Sequence, residues 1–327
     1  MIGPQSTAVA RFIAHMATAT QVPILSFAVT DRSFSEHQYP YFFRIAHSDA
    51  MQMQAIASLI GMYKWKEVVI IYIDDASGRG GVAALSDALQ PLEVHVVKKV
   101  AIHPDCNKTV IGTILNDLFG MQTTVFVVHM PQNQSLLFFS EVKYHGMMTN
   151  GYVWIASDLM LGTLSLDTLE ASILSTLQGI VGIRGYYARE SPQLQTFISE
   201  WNNQPSLENS AGEMLIYGLY AYDATRMLAY AVDSYMKEGF NITFENSIFS
   251  SIDKDSSSDL AQLKVFDGGP LLINYIMYTQ FYGTSGYIKL NPNGDLIRTS
   301  FEVVNIVEGK LNTVGYWTNA TQLSVSP

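Results

Sequence analysis

Residues 67–81 read EVVIIYIDDASGRGG, and this stretch decides the fold class. The run at 67–73 is apolar at successive positions, which is typical of a strand buried on both faces of a parallel sheet. It is too short to cross a membrane. The two aspartates and three glycines at 74–81 predict a turn into a helix that begins near Gly78. A phosphate loop would need a lysine here, and the leading carboxylates would repel phosphate, so a structural turn is favoured over a nucleotide site.

The same alternation of apolar runs and helix-period segments continues along most of the chain. Strands are predicted at 22–29, 41–46, 67–73, 93–100, 123–130, 152–157 and 179–187, and helices near 5–19, 49–63, 79–89, 108–118, 133–146 and 165–177. Strands that are apolar on both faces and are separated by helices of ten to fifteen residues predict an α/β fold, with parallel sheets covered by helices on both faces.

The pattern changes after about residue 188. Helices are predicted at 191–203 and 208–239, a surface loop at 251–259 and a short helix at 269–279. Residues 285–317 are predicted to form three antiparallel strands, joined by turns at 291–294 and 308–309.

Composition limits the possible function classes. The chain has 327 residues, 48% of them hydrophobic, which suits two cores of moderate size. The formal net charge of -10 argues against nucleic acid as a partner. No apolar stretch is long enough to span a membrane, and Met1 is followed directly by a turn and a helix, so neither a transmembrane helix nor a signal peptide is predicted.

Two further features bear on the cellular compartment. The single cysteine, Cys106, has no internal partner for a disulfide. Four Asn-x-Ser/Thr sequons are glycosylation candidates and favour a secreted chain slightly, at Asn107, Asn133, Asn241 and Asn319.

The common catalytic signatures are missing. The sequence has no Gly-x-Ser-x-Gly elbow, no phosphate loop and no dinucleotide-binding glycine motif, and its seven histidines show no metal-ligand spacing. We therefore predict a protein that is not an enzyme and that needs no cofactor.

Four predicted strand-to-helix junctions repeat one chemistry: a hydroxyl or a carboxylate stands where a strand ends or a helix starts. They are GPQST (3–7), FAVTD (27–31), HSDA (47–50) and IASDL (155–159). Helix starts attract carboxylate ligands, and an aspartate attracts an ammonium group, so the junctions suit a small zwitterion. The same residue types are the preferred helix caps everywhere, so the pattern alone leaves both roles open.

Longer motifs carry a resemblance to a known family. The chain is similar to the amino-terminal domain of plant glutamate receptor-like channels in IGPQSTAVA, VPILSFAVTD, YFFRIAHSDAMQMQAIASLIG, GYVWIASDLML, GTSGYIKLNPNGD and VGYWTNATQLSV, in the same order. That domain belongs to the receptor ligand-binding region of the periplasmic-binding-protein type I superfamily.

The resemblance implies two lobes built from doubly wound parallel sheets. Lobe one would comprise 1–63 and 189–280, and lobe two 64–188 and 281–327. In the family, roughly two more βα units and a leader peptide precede the Gly-Pro-Gln-Ser turn, so we expect lobe one to lack its first units and the chain to be a fragment. In family members, the segment that precedes this turn also contains a cysteine, which the resemblance implies as a possible disulfide partner of Cys106.

The resemblance also implies ligand contacts in a cleft between the lobes. Ser6 and Thr7 match a hydroxyl pair that meets the ligand carboxylate. Thr30 matches a threonine near the ammonium group, and Asp158 matches the carboxylate that anchors it. Further matches are Asp49, at an acidic position near the cleft, and Ser77, where metabotropic receptors have an aromatic residue that covers the ligand.

The expected function follows from the resemblance. We expect an extracellular ligand-binding and regulatory domain of a glutamate receptor-like cation channel, at the plasma membrane in the full-length receptor. The partners would be a small ligand of the amino-acid class and other receptor subunits, in homo- or hetero-oligomers. Membrane attachment would come only from segments downstream of this chain. The alternative is an amino-acid-binding protein that acts alone.

Overall fold

The structure is a computed structural model, and it describes residues 1–35, 38–203, 216–246, 263–297 and 299–325. The helices in these residues are α1 (Thr7–Thr20), α2 (Asp49–Met62), α3 (Ala76–Leu89), α4 (Lys108–Phe119), α5 (Gln132–Tyr144), α6 (Asp158–Leu161), α7 (Ala171–Leu174), α8 (Pro192–Asn202), α9 (Ile216–Lys237) and α10 (Gly269–Tyr278). The predicted loop at 251–259 and the start of the predicted helix at 208–239 lie outside the described residues.

The strands complete the mixed α/β fold that the sequence predicts. They are β1 (Ile24–Ser26), β2 (Phe42–Arg44), β3 (Glu67–Ile73), β4 (His95–Ile102), β5 (Val125–His129), β6 (Val153–Ala156), β7 (Val181–Gly185), β8 (Phe244–Asn246), β9 (Lys264–Phe266), β10 (Phe281–Tyr282), β11 (Tyr287–Ile288), β12 (Ser300–Val307), β13 (Lys310–Thr318) and β14 (Gln322–Val325). None of the helices in the described ranges is long and apolar enough to cross a membrane.

The chain forms two compact units. The first comprises residues 1–47, 188–198 and 217–298, and the second 48–187, 199–216 and 299–327. The boundaries differ from the predicted ones in three places, one of which is the assignment of 199–216 to the second unit. Helix α2 belongs to the second unit because its Met53 and Ile56 pack with Val68 of β3. Residues 281–297 belong to the first unit, where side chains of α9 and β2 bind them.

The second unit is built on an eight-stranded mixed sheet with the order β14-β13-β12-β7-β6-β5-β3-β4. The strands from β4 to β7 are parallel to one another, and β12, β13 and β14 continue the sheet with antiparallel pairs. Parallel strands place their carboxyl ends at one edge, which is the edge where open α/β sheets bind ligands.

The central strands of this sheet are buried on both faces, as the uniform apolar run predicts. Successive residues of β3 point to opposite faces. Val69 and Ile71 pack into a core with helices α4 and α5, whereas Val68 and Ile70 pack into a second core with helices α2 and α3.

The turn after β3 requires a glycine at position 78. Asp75 caps α3 by accepting a hydrogen bond from the Gly78 N–H at 2.8 Å. This geometry draws the first turn of the helix onto the end of the strand, and a Cβ on Gly78 would lie 1.9 Å from the Ile73 carbonyl oxygen. The predicted structural turn is confirmed, and the glycine is there for steric reasons.

We therefore expect Gly78→Ala to lower the free energy of unfolding by about 2 kcal/mol or more, because a backbone carbonyl cannot move aside without distorting β3. Urea denaturation followed by circular dichroism measures this change. The matched control is Gly120→Ala, since the Cβ of residue 120 would meet no atom within 4 Å. Equal stability of the two variants would contradict the steric explanation.

The first unit contains shorter sheets. Strands β1 and β2 are parallel, and Ile2 adds a parallel bridge to Leu25. The pairs β8–β9 and β10–β11 are antiparallel. Helix α1 packs on β1 and β2 through its alanines at every third or fourth position: Ala10, Ala14 and Ala17. Small side chains on this face bring the helix close to the strands.

A buried carboxylate organises the first unit around α9. Asp223 is fully buried, and its two oxygens accept four hydrogen bonds from Thr284 and Ser285, two from backbone N–H groups and two from hydroxyls, at 2.6–3.1 Å. A Cβ on Gly283 would lie 2.5 Å from this carboxylate. The Gly-Thr-Ser segment is therefore closely fitted to α9.

One predicted helix is wrong. The segment 165–177 forms a 3₁₀ turn at Leu166–Thr168 and then the four-residue helix α7. The backbone is extended at Leu169 and Glu170, with ψ of 143° and 148°. Hydroxyl groups in the segment bond to nearby carbonyls, as Thr168 does to Ser165, and such local bonds compete with helix formation.

The predicted three-stranded stretch is correct only in part. The hairpin of β12 and β13 forms, and Glu308 and Gly309 have φ of 52° and 70°, as its tight turn requires. The turn at 291–294 also forms, through a hydrogen bond from the Gly294 N–H to the Asn291 carbonyl. However, β11 pairs with β10, and across this turn the described residues form only a short antiparallel bridge, between Leu290 and Leu296.

Candidate functional site

The first predicted hydroxyl pair lies at the start of α1. Ser6 is the N-cap residue, but its side chain makes no capping hydrogen bond. Ser6 is exposed and Thr7, the first helical residue, is half-buried. Ser6 therefore occupies the cap position without using its hydroxyl to cap the helix.

Thr30 lies on the loop after β1, and Ser26 ties this loop to the segment of Ser6. The buried Ser26 hydroxyl donates to the Pro4 carbonyl at 3.0 Å and accepts from the Val29 N–H at 3.1 Å. One hydroxyl thus links the GPQST and FAVTD junctions. Thr30 itself is buried, with 5% of its surface exposed.

Arg44 is a buried cation that the sequence analysis missed. Its guanidinium donates to Asp295 from Nε and Nη2 at 2.9 and 2.7 Å, and from Nη1 to the Asp31 carbonyl at 2.9 Å. Only 1% of Arg44 is exposed. It fixes the end of the Thr30 loop, and Asp295 neutralises its charge. The available signal was an arginine within the otherwise apolar strand of residues 41–46.

In the second unit, Ser48 and Asp49 start α2. Ser48 is the N-cap, and its hydroxyl accepts from the Ala50 N–H at 3.3 Å. Asp49 is fully buried, and its Oδ1 accepts from Nε2 of Gln52 at 2.7 Å. The hydroxyl is thus a helix cap, whereas the carboxylate belongs to a buried polar network.

Asp158 belongs to the same network. It follows β6 as the first residue of α6, and 4% of it is exposed. Its Oδ1 accepts from the Gly185 N–H at 2.7 Å, and its N–H donates to Oε1 of Gln52 at 3.2 Å. Two predicted site residues, Asp49 and Asp158, are therefore joined by Gln52, which the sequence analysis did not identify.

Ser77 lies in the first turn of α3, beside a buried histidine at the end of β5. His129 hydrogen-bonds through Nδ1 to the Ser157 hydroxyl at 2.9 Å. Burial lowers the pKa of His129 to about 4, against the opposing effects of the Asp75 carboxylate and the Ser77 carbonyl. The imidazole is therefore neutral at pH 7. A Cβ on Gly81 would overlap it, 2.2 Å from Nε2.

A second buried histidine lies in the first unit. The pKa of His47 is lowered to about 4, mainly by burial and further by the positive charge of Arg44. Its ring packs edge-on against Tyr220, with centroids 5.6 Å apart. His47 follows β2 by three residues.

The four sequon asparagines are all exposed. Asn107 also caps α4, because its Oδ1 accepts from the Val110 N–H at 3.1 Å. The sequon of Asn133 lies in α5, and its Ser135 is fully buried and bonds to the Met130 carbonyl. Cys106, next to Asn107, has a free thiol. Accessibility thus favours glycan attachment less at Asn133 than at Asn241, which lies in an irregular segment.

The comparisons with known proteins agree on one family. The family described as "Receptor family ligand binding region" matches residues 1–309. The chain is 34% identical over 99% of its length to "Glutamate receptor 3.1" of Oryza sativa subsp. japonica, covering 35% of that protein. It is 35% identical over 99% of its length to "Glutamate receptor 3.4" of Arabidopsis thaliana, covering 33%, and 33% identical over its whole length to "Glutamate receptor 3.2" of the same plant, covering 36%.

The chain thus spans about a third of the length of the curated relatives that it matches. The matched family is a family of receptors and is defined by ligand binding, which agrees with the prediction of a protein that is not an enzyme.

Proposed function

The chain belongs to the receptor family ligand binding region, and from this premise we propose that it is the extracellular amino-terminal domain of a plant glutamate receptor-like cation channel. The observation that carries the proposal is the family match over 309 consecutive residues. The names and plant origins of the relatives support the channel type. We assign the two compact units to the two lobes that the family resemblance implies.

The proposed ligand is an amino acid. Its carboxylate binds the hydroxyls of Ser6 and Thr7 at the start of α1, where the helix N-terminus adds partial positive charge. The exposed, non-capping hydroxyl of Ser6 supports this assignment. Thr30 contacts the ammonium group.

Acidic residues provide the countercharge. We propose that Asp158 anchors the ammonium group, with Asp49 in support, because Gln52 bonds both to the Asp49 carboxylate and to the Asp158 N–H and so links the two buried acidic residues. Ser77 is a small residue at the rim of the site and covers the ligand less than an aromatic side chain would.

The domain also has a proposed role in assembly. It pairs with other subunits, of the same or of a different kind, and modulates the channel when ligand binds. Asn107, Asn133, Asn241 and Asn319 are the proposed glycan sites, consistent with their exposure and an extracellular location.

A thermal-shift screen of the 327-residue chain against L-amino acids tests the proposal. A ligand at a hundred times its dissociation constant stabilises the native state by about 2.7 kcal/mol, which corresponds to a rise in melting temperature of roughly 5 °C. We expect such a rise for at least one amino acid and its loss in Asp158→Ala. An unchanged melting temperature with every amino acid would refute amino-acid binding.

A further inference from the structure

We propose that Gln52 is the positioning residue of the amino-acid site, because its side-chain amide holds Asp49 and Asp158 in one fixed arrangement. The inference rests on the proposed binding of an amino acid to these two carboxylates. It adds a residue that contacts no ligand and acts through the Asp49 carboxylate and the backbone N–H of Asp158.

The contacts of Gln52 allow one orientation of its amide. Its Nε2 donates to the Asp49 carboxylate at 2.7 Å, and its Oε1 accepts from the Asp158 N–H at 3.2 Å. A carboxylate only accepts and an N–H only donates, so a flipped amide would lose both bonds. Gln52 is 98% buried, since 2% of its surface is exposed, and water cannot easily replace either bond.

The arrangement extends beyond Gln52 to the end of β7. Asp158 Oδ1 accepts from the Gly185 N–H at 2.7 Å. On its other side, a Cβ on Gly162 would lie 2.7 Å from the same oxygen. The carboxylate of Asp158 is therefore fixed by its own contacts, and Gln52 fixes the backbone that carries it. Together they join the start of α2, the end of β6 and the end of β7.

Electrostatics explains why an amide rather than an acid suits position 52. A glutamine offers Asp49 an N–H group, which favours the charged form of that carboxylate. A glutamate there would place a third carboxylate beside Asp49 and disfavour ionisation of the pair, while its second oxygen still accepts from the Asp158 N–H. The variant Gln52→Glu thus loses the hydrogen bond to the Asp49 carboxylate and keeps the hydrogen bond from the Asp158 N–H.

Calorimetric titration with a panel of L-amino acids at pH 7 tests the inference. For any amino acid that binds the wild type, we expect Gln52→Glu to weaken binding by roughly tenfold to a hundredfold, the equivalent of one charge-assisted hydrogen bond. The matched control is Gln54→Glu, at an exposed position of the same helix, which should bind like the wild type.

A second measurement separates positioning from general stability. Hydrogen exchange by NMR should show the Asp158 amide exchanging about tenfold faster in Gln52→Met than in Gln54→Glu, since the acceptor of that amide is lost. Exchange in the cores of the sheet should stay the same. Equal exchange of the Asp158 amide in the two variants would overturn the inference, and this readout needs no ligand.

The outcomes distinguish the two proposals. If the wild type binds an amino acid and Gln52→Glu binds it equally well, the inference about Gln52 fails and the proposed function stands. If the wild type binds none of the amino acids, the proposed function fails, and the role of Gln52 in that site fails with it.

Discussion

Lowering the pH from 7 to 4 should destabilise the native chain by about 6 kcal/mol through two histidines alone. The pKa values of His47 and His129 are both lowered from 6.5 to about 4 in the folded protein. Each imidazole is buried in surroundings that cannot solvate a positive charge, and Arg44 adds repulsion at His47.

The sign follows from proton uptake. Between pH 6.5 and 4 the unfolded chain protonates both histidines and the folded chain does not, so protons favour the unfolded state. Each histidine contributes about 3 kcal/mol of destabilisation by pH 4, at 1.36 kcal/mol for each unit of pKa difference. Below pH 4 the folded form also protonates and this contribution levels off.

Urea denaturation at a series of pH values measures the effect. The double variant His47→Gln, His129→Gln should lose most of the pH dependence between 6.5 and 4, because glutamine does not titrate. Replacement of the exposed His103 provides the control and should leave the profile unchanged. If the double variant retains the wild-type profile, the two buried histidines are not the cause.

The variant Asp223→Asn should lower the free energy of unfolding by about 4 kcal/mol. Each oxygen of Asp223 accepts from one N–H and one hydroxyl of Thr284 or Ser285. In asparagine, an NH₂ group replaces one oxygen and faces those donors, which leaves buried donors unpaired and removes the charge from the remaining bonds.

Asp233 on the same helix provides the control for this variant. It forms an exposed ion pair with Lys237 four residues later, at 2.7 Å, and 57% of its side chain is accessible. Asp233→Asn should cost no more than about 0.5 kcal/mol. Similar urea midpoints for the two variants would show that the Gly-Thr-Ser segment does not depend on the carboxylate of Asp223.

Periodicity predicted much of the fold because the central strands of the main sheet are buried on both faces. The apolar run of β3 is stable only when it is buried on both sides, as in the centre of a sheet. The strands from β3 to β7 form close to their predicted positions. Periodicity fails at 165–177, where Leu166 and Leu177 contribute to the core although the backbone between them is not a continuous helix. The spacing of apolar residues indicates which side chains are buried, but not whether they lie on a helix. In this segment, buried residues lie on irregular backbone as well.

The candidate site was less predictable because its polar residues act through long-range partners. The junction pattern left Ser48 open between a helix cap and a ligand contact, and in the structure Ser48 caps α2. It gave no indication that Asp158 would bond to Gly185, 27 residues later, or that Gln52 would reach across to Asp158. The position of Arg44 in the sequence likewise gave no indication that it would bind Asp295.

The most direct test of the account is a calorimetric comparison of three related ligands: an amino acid found to bind, its methyl ester and the same acid without the amino group. Each modified ligand should bind at least roughly tenfold more weakly, because each lacks one of the two charged groups assigned to hydroxyls and acids. Equal affinity for all three ligands would contradict recognition of a zwitterion by this domain.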